Sequence, residues 1–131
     1  TREAACKSPQ FAYLYALNID KEPMENTKEA ACKDPEYAYS YARDISQIPD
    51  NDTREVACKN PRFAAFYASK IDKEPRDDTR EVACKHPYYA YFYTKNVDKE
   101  FRMDTWLAVK DSKYEEKYKK IVHRAMKEAI I

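Results

Sequence analysis

Cysteine and histidine are the residue types of this 131-residue chain best suited to metal binding or nucleophilic chemistry. The four cysteines, Cys6, Cys32, Cys58 and Cys84, are 26 residues apart. Metal sites usually draw two ligands from within a few residues, and helices packed side by side lie about 9–10 Å apart, too far for a disulfide. We therefore expect four unpaired, space-filling thiols, which suit a reducing, cytoplasmic location.

Catalysis finds little support in the sequence. His86 precedes a proline at a predicted helix start, and His123 lies among basic residues, so neither has a partner that the sequence would place beside it. The carboxylates fall at predicted caps and turns, where structure already accounts for them. Gly is absent, which excludes the usual phosphate-cradling loops. We expect a protein that is not an enzyme and carries no cofactor and no metal ion.

A tandem repeat of 26 residues accounts for most of the chain. Its units begin at Thr1, Thr27, Thr53 and Thr79, and each opens on a version of T-R-E-V-A-C-K-N-P. Self-similarity at such a period predicts a stacked repeat array. We expect one domain over 1–131, made of repeats 1–26, 27–52, 53–78 and 79–104 and a C-terminal cap, 105–131.

Each repeat carries two predicted helix starts. Asp52 and Glu55 have the spacing of a capping box, which predicts a short helix over 53–59. Asn60 before Pro61 predicts a second helix of about 13 residues, ending in turns rich in Asp and Asn that replace Gly. Another capping box at Ser112 opens a final helix to about Ile131. The predicted fold is an all-α solenoid of four helical hairpins plus a C-terminal capping helix pair.

The periodicity of the long helix predicts its buried side. Phe63, Tyr67 and Ile71 fall at i, i+4 and i+8, and we assign this stripe to the core. The equivalent residues of the other repeats are Phe11, Tyr15 and Ile19, Tyr37, Tyr41 and Ile45, and Tyr89, Tyr93 and Val97. On the final helix we expect Tyr114, Tyr118, Ile121, Val122, Ala125 and Ala129 to be buried.

Four other positions of the long helix vary between repeats and share one helix face, at i, i+3, i+4 and i+7. They include Tyr, Phe and Arg, which are enriched at binding hot spots. We predict a scaffold that binds a protein partner through Tyr13, Leu17, Tyr39, Arg43, Arg62, Phe66, Tyr88, Tyr91, Phe92 and Lys95. The alternative is drift on a solvated face, with the tyrosines filling space between neighbouring repeats.

The distribution of charge along the chain allows nucleic acid as a second class of partner. Residues 1–104 hold 17 basic and 19 acidic residues, a net charge of −2, whereas 105–131 hold 7 basic and 4 acidic, a net of +3. Nucleic-acid binding through tyrosine stacking and the basic final helix is therefore the alternative to protein binding. No apolar run approaches the ~20 residues of a membrane helix, and no secretion signal is visible at the start, so we expect no membrane partner.

The two ends of the array differ. From Thr105 onward the repeat pattern breaks and a polar helix face appears, as expected of a terminal cap. At the other end the chain opens on the first residue of a repeat, with no initiator Met. We expect an array that continues before Thr1, or an end that a partner or a second copy covers. Self-association through this end, giving a structural building block, is a second alternative function.

The run T-R-E-V-A-C-K-N-P at 53–61, with Ala64, Tyr67 and Ala68, resembles short two-helix solenoid repeats, above all the leucine-rich-variant and HEAT-like groups. The resemblance covers residues 1 to about 104. The chain has Tyr and Phe where the leucine-rich variant has Leu, and it lacks that family's clustered cysteines, so no iron–sulfur cluster is implied. Its tyrosine-rich units also resemble arrays in phage proteins, which would act in the host cytoplasm. The resemblance implies a right-handed α-solenoid that binds another macromolecule, usually a protein.

Overall fold

Four helix pairs stack side by side and a fifth, altered pair follows them. The computed structural model describes residues 1–130, which are helical and contain no β-strand. The helices are α1 Arg2–Ala5, α2 Pro9–Tyr15, α3 Glu25–Ala31, α4 Pro35–Tyr41, α5 Asn51–Ala57, α6 Pro61–Tyr67, α7 Asp77–Ala83, α8 Pro87–Tyr93, α9 Met103–Val109 and α10 Glu115–Ile130. Each long helix packs on both helices of the next pair, which confirms the predicted solenoid-like repeat. The predicted end of α10 at Ile131 lies outside the described residues.

The long helices begin where the sequence predicts. Asn60 has extended backbone and accepts the Arg62 amide hydrogen at 2.9 Å, with Pro61 at the first helical position. Ser8, Asp34 and His86 cap the other long helices in the same way.

The short helices begin two residues earlier than predicted. Asp50, not Asp52, caps α5, so the predicted capping box is wrong. A contact from 17 residues away explains the difference, because the Tyr67 hydroxyl accepts the Asp50 amide hydrogen at 3.0 Å. The same hydroxyl lies 2.7 Å from that of Thr53. The Asp50 side chain also accepts the Asp52 amide hydrogen at 2.8 Å, so a local cap and a tertiary hydrogen bond together set this helix start.

Each long helix ends in a five-residue π-helical turn, at Ala16–Asp20, Ala42–Ser46, Ala68–Asp72 and Thr94–Asp98. A left-handed residue then closes it: Lys73 has φ 57° and donates its amide hydrogen to the Ala68 carbonyl at 2.8 Å. Lys21, Gln47 and Lys99 do the same in the other repeats. The prediction that Asp and Asn supply these turns is wrong at all four. Asp111, before the final helix, also has a left-handed backbone, with φ 63°.

Tyrosine and alanine make the core. Tyr41, Tyr67 and Tyr93 are fully buried, as the predicted stripe requires. Alanines lie at the fourth residue of each long helix, at the start of three of the π-helical turns and at the end of each short repeat helix, where they let neighbouring helices approach closely. The fully buried alanines are Ala12, Ala16, Ala31, Ala38, Ala42, Ala57, Ala64, Ala65, Ala68, Ala83 and Ala90. Each buried tyrosine hydroxyl bonds a threonine of its own repeat: Thr27, Thr53 or Thr79.

The predicted stripe fails in the first repeat. Phe11 and Ile19 are 60% and 63% exposed, although their counterparts Phe63 and Ile71 pack into a core cluster with Tyr39 of the preceding repeat. Burial of these positions depends on the neighbouring unit, and the described residues contain no repeat before the first. Helical periodicity alone cannot supply that information.

A buried ion pair joins the two helices of the third repeat. The Arg54 guanidinium donates to Asp72 through Nη2 at 2.5 Å and Nε at 3.0 Å, and their side chains are only 7% and 1% exposed. Arg80 and Asp98 make the same pair in the fourth repeat. The guanidinium also lies over the ring of the buried tyrosine, 5.4 Å from the Tyr67 centroid.

The C-terminal cap is a fifth unit with one residue fewer. Thr105 and Tyr118 make the same hydroxyl pair at 2.8 Å, but they are 13 residues apart instead of 14. Tyr118 and Val122 are buried as predicted, whereas Ala129 is exposed, contrary to the prediction. The polar face of α10 is exposed at Lys117, Lys120, Arg124, Lys127 and Glu128, as predicted, and Lys113, which precedes the helix, is exposed too. None of the helices over 1–130 has the length and apolar character that a bilayer span requires.

Candidate functional site

The ten residues predicted to bind a partner differ in how much of each side chain is exposed. The exposed members are Leu17, Arg43, Arg62, Tyr88 and Lys95. The half-buried members are Tyr13, Phe66, Tyr91 and Phe92, and Tyr39 is buried. The predicted face therefore lies partly on the surface and partly between repeats.

Tyr39 belongs to the core and not to a binding surface. Its side chain is 6% exposed, and its ring lies 5.9 Å from those of Phe63 and Phe66 in the next repeat. Ser40, beside it, and Ala65, its counterpart, are also buried. At this position the alternative interpretation is correct, since the residue fills space between repeats. The physical reason is that consecutive long helices are neighbours, so part of the variable face turns toward the next helix.

Tyr13 and Arg43 form a polar cluster in the first two repeats. The Tyr13 hydroxyl donates to Asp44 at 2.5 Å, and burial together with this bond raises the pKa of Tyr13. The Arg43 guanidinium donates twice to Asp44 at 2.8 Å and lies 5.2 Å over the Tyr39 ring. Its hydrogen bonds lower the pKa of the Asp44 carboxyl. These polar groups bind one another, which leaves fewer of them for a partner.

The last repeat and the cap bring four tyrosines together in a group that we call the tyrosine cluster: Tyr88, Tyr89, Tyr91 and Tyr114. Tyr91 and Tyr114 stack with centroids 5.8 Å apart and planes 16° apart. Tyr88 lies 5.3 Å from Tyr114 and meets Tyr89 edge-on at 5.0 Å. Such tilted and stacked pairs hold the rings in fixed orientations. Tyr88 is 36% exposed, so the cluster is both ordered and accessible.

Cations flank the tyrosine cluster on both sides. On the repeat side, the Arg62 guanidinium lies 5.6 Å from the Phe66 centroid, and Phe66 lies 5.3 Å from Phe92 and 6.2 Å from Tyr89. On the cap side, Lys113 Nζ lies 5.4 Å from the Tyr114 centroid. We call the whole patch the aromatic surface: Arg62, Phe66, Phe92, the tyrosine cluster and Lys113. It joins five of the predicted residues, Arg62, Phe66, Tyr88, Tyr91 and Phe92, and leaves Tyr13, Leu17, Arg43 and Lys95 outside.

Sequence reasoning missed three members of this surface. Tyr89 was assigned to the core stripe, but it is only half-buried. Tyr114 was assigned to the buried side of the final helix, and Lys113 to its polar side. The adjacent pair Tyr88-Tyr89 was a usable signal, because no other repeat has two aromatic residues there. The position of Tyr114 could not be found, since it depends on how the shortened fifth unit packs.

The thiols are free in every repeat, as predicted, but they are half-buried and not fully buried. Burial raises the pKa of Cys32 and Cys58 to about 11 and that of Cys84 to about 12, so these thiols carry little thiolate near neutral pH. Over the described part of the chain, no three His, Cys, Asp or Glu side chains lie close enough together to hold a metal ion. The geometry here is that of packing residues.

No protein-family model, no curated protein and no solved structure matches this chain. The resemblance to leucine-rich-variant and HEAT-like repeats is therefore supported only at the level of a helical repeat made of paired helices.

Proposed function

We propose that this protein is a non-catalytic scaffold that binds a protein partner through the aromatic surface. The observation that carries the proposal is the ordered, accessible tyrosine cluster with a cation at each side. Tyrosine and arginine contribute large contact areas at a small cost in side-chain entropy, and they dominate the energy of many interfaces. The repeats beneath supply a rigid support.

Charge favours a protein partner over nucleic acid. The four repeats carry a net charge of −2, so the solenoid as a whole does not attract a phosphate backbone. The two flanking cations also lie over aromatic rings, in the arrangement that cation–π contacts require. The free thiols support a reducing compartment such as the cytoplasm as the place of action.

The test uses exposed members of the aromatic surface, because exposed side chains can be changed without loss of folding. In the double variant Arg62→Glu with Tyr88→Ser, we expect loss of a partner captured from the source organism's lysate, with helicity and melting temperature unchanged. The matched control is Gln10→Ser with Glu36→Ser, which alters the same helix position in the first two repeats. The control should retain the partner. Tyr39 is left out of the variant since its replacement would damage the core.

Three outcomes would contradict the proposal. Capture that disappears on nuclease treatment would indicate nucleic acid as the partner. Equal loss in the variant and the control would show that the aromatic surface has no special role. Empty capture, with a sedimentation coefficient that rises with protein concentration, would favour self-association.

A further inference from the structure

The fifth unit departs from the repeat at three positions that meet at one place. Arginine follows the repeat threonine at Arg2, Arg54 and Arg80, but Trp106 follows Thr105. Aspartate comes five residues after the repeat tyrosine at Asp20, Asp72 and Asp98, but His123 does so after Tyr118. Proline comes four residues before the threonine at Pro23, Pro49 and Pro75, but Phe101 does so before Thr105. An ion pair and a proline are thus exchanged for three ring-bearing side chains.

These exchanges open an apolar groove between α9 and α10. It encloses about 250 Å³, and its lining is Phe101, Trp106, Tyr118, Lys119, Val122, His123 and Met126. Trp106 and His123, which replace the ion pair, both line it. The third and fourth repeats fill the equivalent place with a guanidinium and a carboxylate that are almost fully buried. The groove is therefore a feature of the fifth unit and not of the repeat.

The groove has a fixed floor and uncovered walls. Tyr118 and Val122 are 1% and 9% exposed, and the Tyr118 ring lies 5.9 Å from Trp106 and 6.4 Å from Phe101. Phe101 and Met126 on the walls are 46% and 60% exposed. Aromatic rings and a methionine around a space of this size suit one or two bulky apolar side chains.

The positive charge around the groove favours an acidic peptide segment as the carrier of those side chains. Residues 105–131 have a net charge of +3, in contrast to −2 for the repeats. At the groove itself, Lys119 Nζ lies 5.9 Å from the Trp106 centroid, beside His123. Lys119 already contacts Glu115 and Glu116 at 3.4 Å, but the Lys119 side chain is 53% exposed, so an incoming carboxylate can compete for it.

We propose that this groove binds a bulky apolar side chain of an acidic peptide segment. The site is separate from the aromatic surface, with which it shares no residue, so each can be tested without the other.

Trp106 is the single tryptophan of the chain and lies in the groove, so its fluorescence reports occupancy directly. The probes are tryptophan-free hexapeptides with a central Leu-Leu pair and either acidic flanks (Asp-Glu-Leu-Leu-Asp-Glu) or basic flanks (Lys-Arg-Leu-Leu-Arg-Lys), and an acidic peptide with Ala-Ala at the centre. We expect a saturable shift of the tryptophan emission with the acidic Leu-Leu peptide, and no saturation with the other two.

Variants of exposed residues locate the effect. Met126→Glu should weaken the binding of the acidic peptide by about tenfold or more. Met103→Glu is the matched control, because Met103 is 59% exposed on α9 and does not line the groove, and it should bind as the unaltered protein does. Lys119→Glu should reverse the preference between acidic and basic peptides.

The proposal is overturned if the three peptides act alike, if none shifts the emission, or if Met103→Glu weakens binding as much as Met126→Glu. It is also overturned if the emission without peptide changes with protein concentration and Met126→Glu abolishes that change, because a second copy of the chain would then be the occupant.

Discussion

The second and third repeats share one fold but pair the cation at the same helix position in different ways, Lys28 being half-buried and Arg54 buried. In the third repeat, Arg54 pairs with Asp72 of the same hairpin. In the second, the equivalent residues are Lys28 and Ser46, and Lys28 Nζ instead contacts Asp50, which caps α5, and Asp52 in α5, at 3.0 and 3.4 Å. The first contact lies within one helix pair, and the second joins one helix pair to the next.

This difference shows that the two positions are physically linked. An arginine opposite Ser46 would be a buried cation without a carboxylate, which is strongly unfavourable. Lysine, with its flexible stem, can turn to another acidic side chain, and its hydrogen bond to Asp50 raises the pKa of Lys28. The fold therefore requires that the buried cation be paired, and it tolerates more than one partner.

Removing the carboxylate of the third repeat should have the largest effect. In Asp72→Ala, the guanidinium of Arg54 stays buried without its partner, at an expected cost of about 3–5 kcal/mol in the free energy of unfolding. Urea denaturation followed by circular dichroism measures it. Ser46→Ala, the same position in the second repeat, should change stability by less than about 0.5 kcal/mol, because no contact of Lys28 involves Ser46. Equal effects in the two variants would show that the Arg54–Asp72 pair is not what stabilises the third repeat.

Loss of the hydroxyl pair between tyrosine and threonine should cost the same stability in the second and third repeats. Loss of the side chain at the position of Asp72 should not. Tyr67→Phe removes the acceptor of the Asp50 amide and the partner of Thr53, at an expected cost of about 1–3 kcal/mol. Tyr41→Phe removes the same two bonds, to Met24 and Thr27, at 3.0 and 2.8 Å. We expect the two variants to agree within about 0.5 kcal/mol in the same denaturation experiment. A large difference would mean that the neighbouring charges alter the hydrogen bonds.

Features set by residues adjacent in the chain could be predicted from the sequence, and features set by contacts across a hairpin or between hairpins could not. Asn60 and Pro61 give the start of α6 because a cap and its helix are adjacent in the chain. The period of the long helix identifies Tyr67 as buried for the same reason. The start of α7 at Asp77 could not be found, because the Arg76 side chain makes no cap and the Arg76 amide hydrogen goes to the Tyr93 hydroxyl.

The candidate site shows the same limit. The composition of the variable face drew attention to Arg62, Tyr88 and Tyr91, which lie on the aromatic surface. It also included Tyr39, because a helical wheel does not show which part of a face the next repeat covers. The groove beside Trp106 becomes visible only when the cap is aligned as a fifth repeat with one residue removed.

The cysteines of the second and third repeats, Cys32 and Cys58, should behave almost alike, although the charged residues near them differ. Burial is the main cause that raises the pKa of both Cys32 and Cys58 to about 11, from an ordinary value of 9.0. At pH 8 each folded thiol should then hold about a hundredfold less thiolate than in the unfolded chain, and iodoacetamide should alkylate the two at similar, slow rates. Mass spectrometry of the modified peptides, with and without urea, gives both rates. The thiol of the unfolded chain loses its proton at a lower pH than the folded thiol does. Deprotonation of these cysteines should therefore lower the free energy of unfolding as pH rises from 9 to 11. Alkylation of Cys32 many times faster than that of Cys58 would show that Lys28, which stabilises the thiolate, outweighs burial in the second repeat.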